Sequence, residues 1–188
     1  MKTLHLSLLI ALLSSASLSG QTAAPGTGTV APAGSTAAKP KPLGSADKKF
    51  MKDALTSIYF ELHLARKVRT AKGKGSEPVK RIGVKLYADL NKAWGDFATV
   101  AQARGEKVPD ELSGSDKTAI ERLTKLDAEA FDKEFLQLVG KESKKLVRDF
   151  EAGAKSIQDP EVKAAAEKWT PALKEHAQQI DAAATAVK

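Results

Sequence analysis

From Ser45 to the end of the chain, apolar residues return every three or four positions, Ala, Lys, Leu and Glu dominate, and β-branched clusters are absent. That period matches the turn of an α-helix and excludes strands, whose side chains alternate. The spacing predicts a first helix over residues 46–70 with Phe50, Ala54, Ile58, Leu62 and Ala65 as its inner stripe. Ser45 is its expected cap, and Asp47 favours the positive helix end. Ser76 is expected to cap a second helix that carries Pro78 in its first turn. The inner stripe there is Val79, Ile82, Leu86, Leu90, Ala93, Phe97 and Val100, and Gly105 ends it. Ser115 opens a short third helix, and Asp127 caps a long fourth one with Phe131, Phe135, Leu138, Glu142, Leu146 and Phe150 inward. Asp159 and Pro160 start a fifth, whose stripe runs Val162, Ala165, Trp169, Leu173, His176, Ile180. Pro171 inside it is expected to kink it near Glu167. Short connections after the first and fourth helices imply antiparallel hairpins.

The first 44 residues have a different character. A basic start at Lys2, an apolar run over residues 4–13 and small residues to Gly20 read as a cleaved secretory signal. The run is shorter than the roughly 20 residues of a membrane span, so no transmembrane segment is expected after its removal. Residues 21–44 hold four prolines and four glycines with no acid and no aromatic. Such a segment buries too little apolar surface to offset the entropy of ordering, and predicts a flexible tether. The domain proper is then 45–188, and the expected location is periplasmic or on the outer envelope. Lys2, Lys39 and Lys41 precede the domain, leaving 27 of the 30 basic residues against all 23 acids, a formal +4. No cysteine is present, which removes disulfides, thiolate metal sites and a cysteine nucleophile.

Three histidines bound the remaining chemistry. His5 leaves with the signal, and His63 follows Glu61 by two positions, which places the pair on divergent helix faces. His176 lies on an inner stripe, and Glu142 does so on the neighbouring hairpin, so a Glu142–His176 hydrogen bond is expected inside the bundle. Di-iron bundles use Glu-x-x-His on two helices. That spacing does not occur here, and His176 reads as a core histidine. No catalytic group and no cofactor is expected. His176, Glu142 and Glu61 are the weak candidates for a residual metal site. Gly73-Lys-Gly-Ser lacks the spacing of a phosphate loop.

A run around one hairpin carries Arg66, Lys67, Arg69, Lys72, Lys74, Lys80, Arg81 and Lys85 with Glu77 as its only acid. It suggests contact with an anionic envelope polymer, such as phosphorylated glycan or lipid headgroups. The competing reading is that cations at a helix C-terminus stay solvated. Nucleic acid is not expected, since no aromatic interleaves the run. Another envelope protein is the other partner class.

Four phrases, SADKKFMKDA, SEPVKRIGVKLYADLNKA, AFDKEFLQLVGKES and DPEVKAAAEKWTPALKEH, occur in this order. Together they resemble the bacterial domain of unknown function 4142, whose members are exported and often labelled predicted outer-membrane proteins. The resemblance implies an all-α, ferritin-like antiparallel four-helix bundle with one short extra helix in the middle crossover. It implies no established activity. Members commonly place a histidine after the aspartate of the second phrase, where this chain has Leu90 after Asp89. They place another in the fourth helix, where it has Ser143, while the third is kept as His176. The expected function is therefore non-enzymatic, an envelope-associated binding, structural or stress role. The alternative is a ferritin-like metal or redox protein with a degenerate site.

Overall fold

The computed structural model describes residues 41–70 and 74–187. The expected signal, nearly all of the tether, and Lys72 lie outside the described residues. Five helices follow one another: α1 (Ser45–Thr70), α2 (Glu77–Ala103), α3 (Gly114–Lys125), α4 (Ala128–Ser156) and α5 (Pro160–Ala186). Among the described residues there is no strand.

The predicted helices are found, with local corrections at their starts. Ser45 is already helical, and the Gly44 carbonyl accepts the first bond, from Lys48 N–H at 2.9 Å. Ser76 occupies the cap position of α2, but its hydroxyl caps nothing. Its backbone N–H instead donates to both oxygens of Asp132, at 3.1 and 3.0 Å. Ser113, not Ser115, caps α3, because the chain is extended at Ser113 and its hydroxyl accepts from Asp116 N–H. Asp127 and Asp159 cap α4 and α5 as the sequence suggests. Gly105 follows α2 with φ of +73°, a conformation that glycine adopts without steric cost. α5 runs unbroken through Pro171.

α1 packs against α2 and α4, and α5 packs against the same two helices. Each of these neighbours runs antiparallel. Phe50 meets Phe97 and Phe150, with ring centroids at 6.3 and 5.3 Å, while Val68 lies against Gly83 on α2 and Glu61 meets Ser143 on α4. Asp96 reaches Lys168 and Trp169 on α5, and Asp89 reaches His176 further along. Lys174–Glu151 and Lys144–Asp181 ion pairs join α4 to α5.

α2 and α4 consequently run in the same direction, so the chain must return along the whole bundle between them. It does so beside α1. Glu106 pairs with Lys48 at 2.9 Å, the Asp110 carbonyl accepts from Tyr59 Oη at 3.0 Å, and the Thr124 carbonyl accepts from Lys74 Nζ at 2.6 Å. α3 occupies the upper part of this return and buries Ile120 and Leu123.

Apolar side chains fill the middle. Phe97, Phe131, Phe135, Phe150, Leu55, Ile58, Leu64, Leu86, Leu90 and Leu146 are fully buried, each removed from water to a gain of about 1.5–3 kcal/mol. Carboxylates fasten both ends. At one end Asp132 holds the α1–α2 turn. At the other, Asp47 accepts from the backbone N–H groups of Gln158 and Asp159 at 3.0 and 2.9 Å. Beside Asp47, the Arg104 guanidinium spans Asp159, Glu161 and the Lys41 carbonyl.

Candidate functional site

Two polar pairs interrupt the apolar interior. The first is Glu61 on α1 with Ser143 on α4. Glu61 is 1% exposed and Ser143 3%, and the Ser143 hydroxyl donates to Glu61 Oε2 at 2.7 Å. The other oxygen, Oε1, is buried with no partner. Burial penalises the carboxylate, and the nearby Glu142 charge adds to this. The bond from Ser143 and the Lys145 charge only partly compensate, so the Glu61 pKa is raised to about 8. At neutral pH the group is mainly a carboxylic acid.

The second pair joins α5 to α2. His176, 2% exposed, faces Asp89 with Nε2 at 3.1 Å from Oδ2. Burial lowers the imidazole pKa below its ordinary value of 6.5, although the Asp89 bond and charge pull the other way. A neutral ring with its proton on Nε2 donates to Asp89 and leaves the buried Nδ1 unpartnered. Burial alone would raise Asp89, but its bonds to His176 and Lys85 hold it below the usual aspartate value.

The expected Glu142–His176 bond is not formed. Glu142 is half-buried beside the seam. The inner seam of α4 runs through Val139, Gly140, Ser143, Leu146 and Phe150, and one residue of offset rotates a side chain by about 100°. Leu138, to which the expected stripe was anchored, is itself only half-buried. The Tyr59–Trp94 contact (6.2 Å) and the Val68–Gly83 contact bracket Glu61 on α1 and Asp89 on α2. The two pairs thus occupy the same stretch of the bundle. Even so, no three His, Asp or Glu side chains converge on one point among the described residues. His63 is half-buried and packs on Tyr59 at 4.6 Å.

The sequence reading missed Asp89 as a partner. It precedes Leu90 of the inner stripe and lies on the flank that α5 covers. A half-exposed acid beside an inner stripe gives no periodic signal of its own.

The basic hairpin end separates into engaged and free cations. Lys74 is bound to the Thr124 carbonyl, Lys80 to Glu77, and Lys85 to Asp89 and Glu175. Arg66, Lys67, Arg69 and Arg81 have no carboxylate partner among the described residues. The Arg69 guanidinium lies 4.1 Å from the centroid of the Tyr87 ring. An aromatic group is therefore set within the basic cluster: Tyr87 lies two positions beyond Lys85 in the sequence, and the pairing of α1 with α2 brings Arg69 onto it.

No curated protein matches the chain. Among solved structures it is similar to the crystal structure of a DUF305 fragment from Deinococcus radiodurans, with a TM-score of 0.65 at 13% identity. The match covers 77% of this chain and 98% of that one. A likeness at that identity concerns the fold alone. The family model described as Domain of unknown function (DUF4142) matches residues 31–183, and the chain belongs to that family.

Proposed function

We propose that this chain is an exported, non-enzymatic protein of the cell envelope that works by binding through its surface. The scaffold is a ferritin-like antiparallel four-helix bundle with α3 in the long crossover. The ring of four antiparallel contacts and the single long return beside α1 support that architecture. The signal-like start and the Pro/Gly-rich stretch after it support export. One observation carries the functional reading. The interior chemistry is confined to two separate pairs that line none of the best-formed surface clefts, while guanidiniums with no carboxylate partner among the described residues stand outside at the hairpin end. A catalytic group must reach its substrate, and Glu61, Ser143 and His176 are buried, with only Asp89 partly open to water. The ligand class this supports is an anionic envelope polymer.

Retention of the full chain on immobilised dextran sulfate tests the reading. Wild type should be retained in a salt-dependent manner, and the triple variant Arg66→Gln/Arg69→Gln/Arg81→Gln should elute early. Equal retention of the two would remove the hairpin end as the contact.

A second reading has its own observation. Glu61 Oε1 and His176 Nδ1 are buried without partners, and each is a possible metal donor. Elemental analysis of the purified protein decides between the two. Stoichiometric iron, manganese or zinc that disappears in His176→Ala would replace the binding reading with a metal or redox one.

A further inference from the structure

Val84 on α2 is 55% exposed, and among the described residues it is the exposed large apolar side chain. A single exposed valine ordinarily means nothing. Its surroundings give this one a meaning. Arg81 precedes it by three positions and Lys80 by four, and Tyr87 follows by three, so all border it on the helix surface. Arg69 covers Tyr87 from α1. Glu77 and Asp89, the acids on this stretch of α2, are taken up by Lys80 and Lys85. Toward α1, burial first and then the charges of Arg66 and Lys67 hold His63 below its ordinary pKa.

A soluble polyanion would be met by the charges alone. An apolar side chain projecting among them gains only where headgroups give way to acyl chains, and a tyrosine suits the same boundary. Arginine, with its planar fork, matches phosphate oxygens. No described helix is long and apolar enough to cross a membrane, so the contact would be peripheral. We infer that the outer face of the α1–α2 hairpin end docks on an anionic phospholipid surface. Arg66, Arg69 and Arg81 sit on headgroup phosphates, with Val84 and Tyr87 at the acyl boundary. This rests on the surface-binding reading above and names its ligand.

The test is co-sedimentation of the full chain with phosphatidylcholine vesicles, with and without phosphatidylglycerol, run beside the dextran sulfate column. All variants share the same apolar N-terminal run, so differences between them report the patch. Arg66, Arg69, Arg81 and Val84 are exposed, Arg69 stacking on the half-buried Tyr87 ring, and unchanged melting curves check the fold. Wild type should bind the phosphatidylglycerol vesicles more tightly than the phosphatidylcholine ones. The triple arginine variant should lose about a hundredfold in affinity. Val84→Ser should lose several-fold on vesicles and elute from dextran sulfate like wild type. If Val84→Ser binds vesicles as wild type does, or if phosphatidylglycerol makes no difference, lipid docking is overturned while the polymer reading stands. If wild type is also not retained on dextran sulfate, the underlying reading falls with it.

Discussion

At Glu61 the interior holds a carboxyl group with one hydrogen bond where a carboxylate would want several. In the unfolded chain this group ionises near 4.5, and in the fold only near 8. A raised folded pKa contributes stability that is whole below the unfolded value and is lost as pH rises through the folded one. The loss is at most about 1.4 kcal/mol per pH unit across that window. Glu61→Gln, which keeps the acceptor for Ser143 and cannot ionise, should therefore melt higher than wild type at pH 8. The two should converge toward pH 5. A melting-temperature gap that is constant from pH 5 to pH 8 would contradict a protonated Glu61. His176 acts with the opposite sign. Its folded pKa lies below 6.5, so acidification through 6.5 protonates the unfolded state first and weakens the fold. Urea titrations at pH 7 and pH 5 should show wild type falling behind His176→Gln on acidification, the Glu61 contribution being common to both. Identical pH responses in the two proteins would mean that the ring protonates freely in the fold.

The helices themselves meet at close quarters where glycine allows it. A Cβ added at Gly83 would stand 2.8 Å from Val68, and one at Gly153 would stand 2.5 Å from the Phe50 ring. Gly95 on α2 has open space instead. Gly83→Ala should cost about 1–3 kcal/mol in urea unfolding because α1 and α2 must part. Gly95→Ala should add about 0.5–1 kcal/mol through helix propensity alone. Equal effects at the two sites would show that the α1–α2 contact is looser than the structure has it. These elements were largely legible in the sequence, because amphipathic stripes such as Val79–Leu86–Leu90–Phe97 and Trp169–Leu173–His176–Ile180 repeat a helical period over many turns. The pairing of polar residues was less so. Glu142 and Ser143 are adjacent in sequence, and only the phase of α4 against its neighbours decides which turns inward. His176 was readable as buried, but its partner Asp89 depends on how α5 rotates against α2, which periodicity within one helix does not fix. The crowding at Gly83 and Gly153 is likewise a property of two helices at once.

Over the whole molecule, side chains far apart in sequence hold the ends together. Asp47 near the start of α1 accepts two backbone N–H groups from the turn before α5, and it is 4% exposed. Asp47→Ala leaves those donors without partners and should cost about 1–3 kcal/mol. Hydrogen exchange would localise the effect, with protection of Gln158 and Asp159 falling while that of Leu86 and Leu90 follows only the global loss. Uniform loss across the molecule would show that Asp47 does not act locally. The same end holds Lys41, whose carbonyl is gripped by Arg104. α1 then extends about 39 Å to the hairpin end, near which Arg66, Arg69 and Arg81 lie. Lys41 and Arg104 thus lie at one end of α1, and Arg66, Arg69 and Arg81 near the other. A change at Lys41 or Arg104 should accordingly leave the arginine cluster untouched, because a helix length separates them.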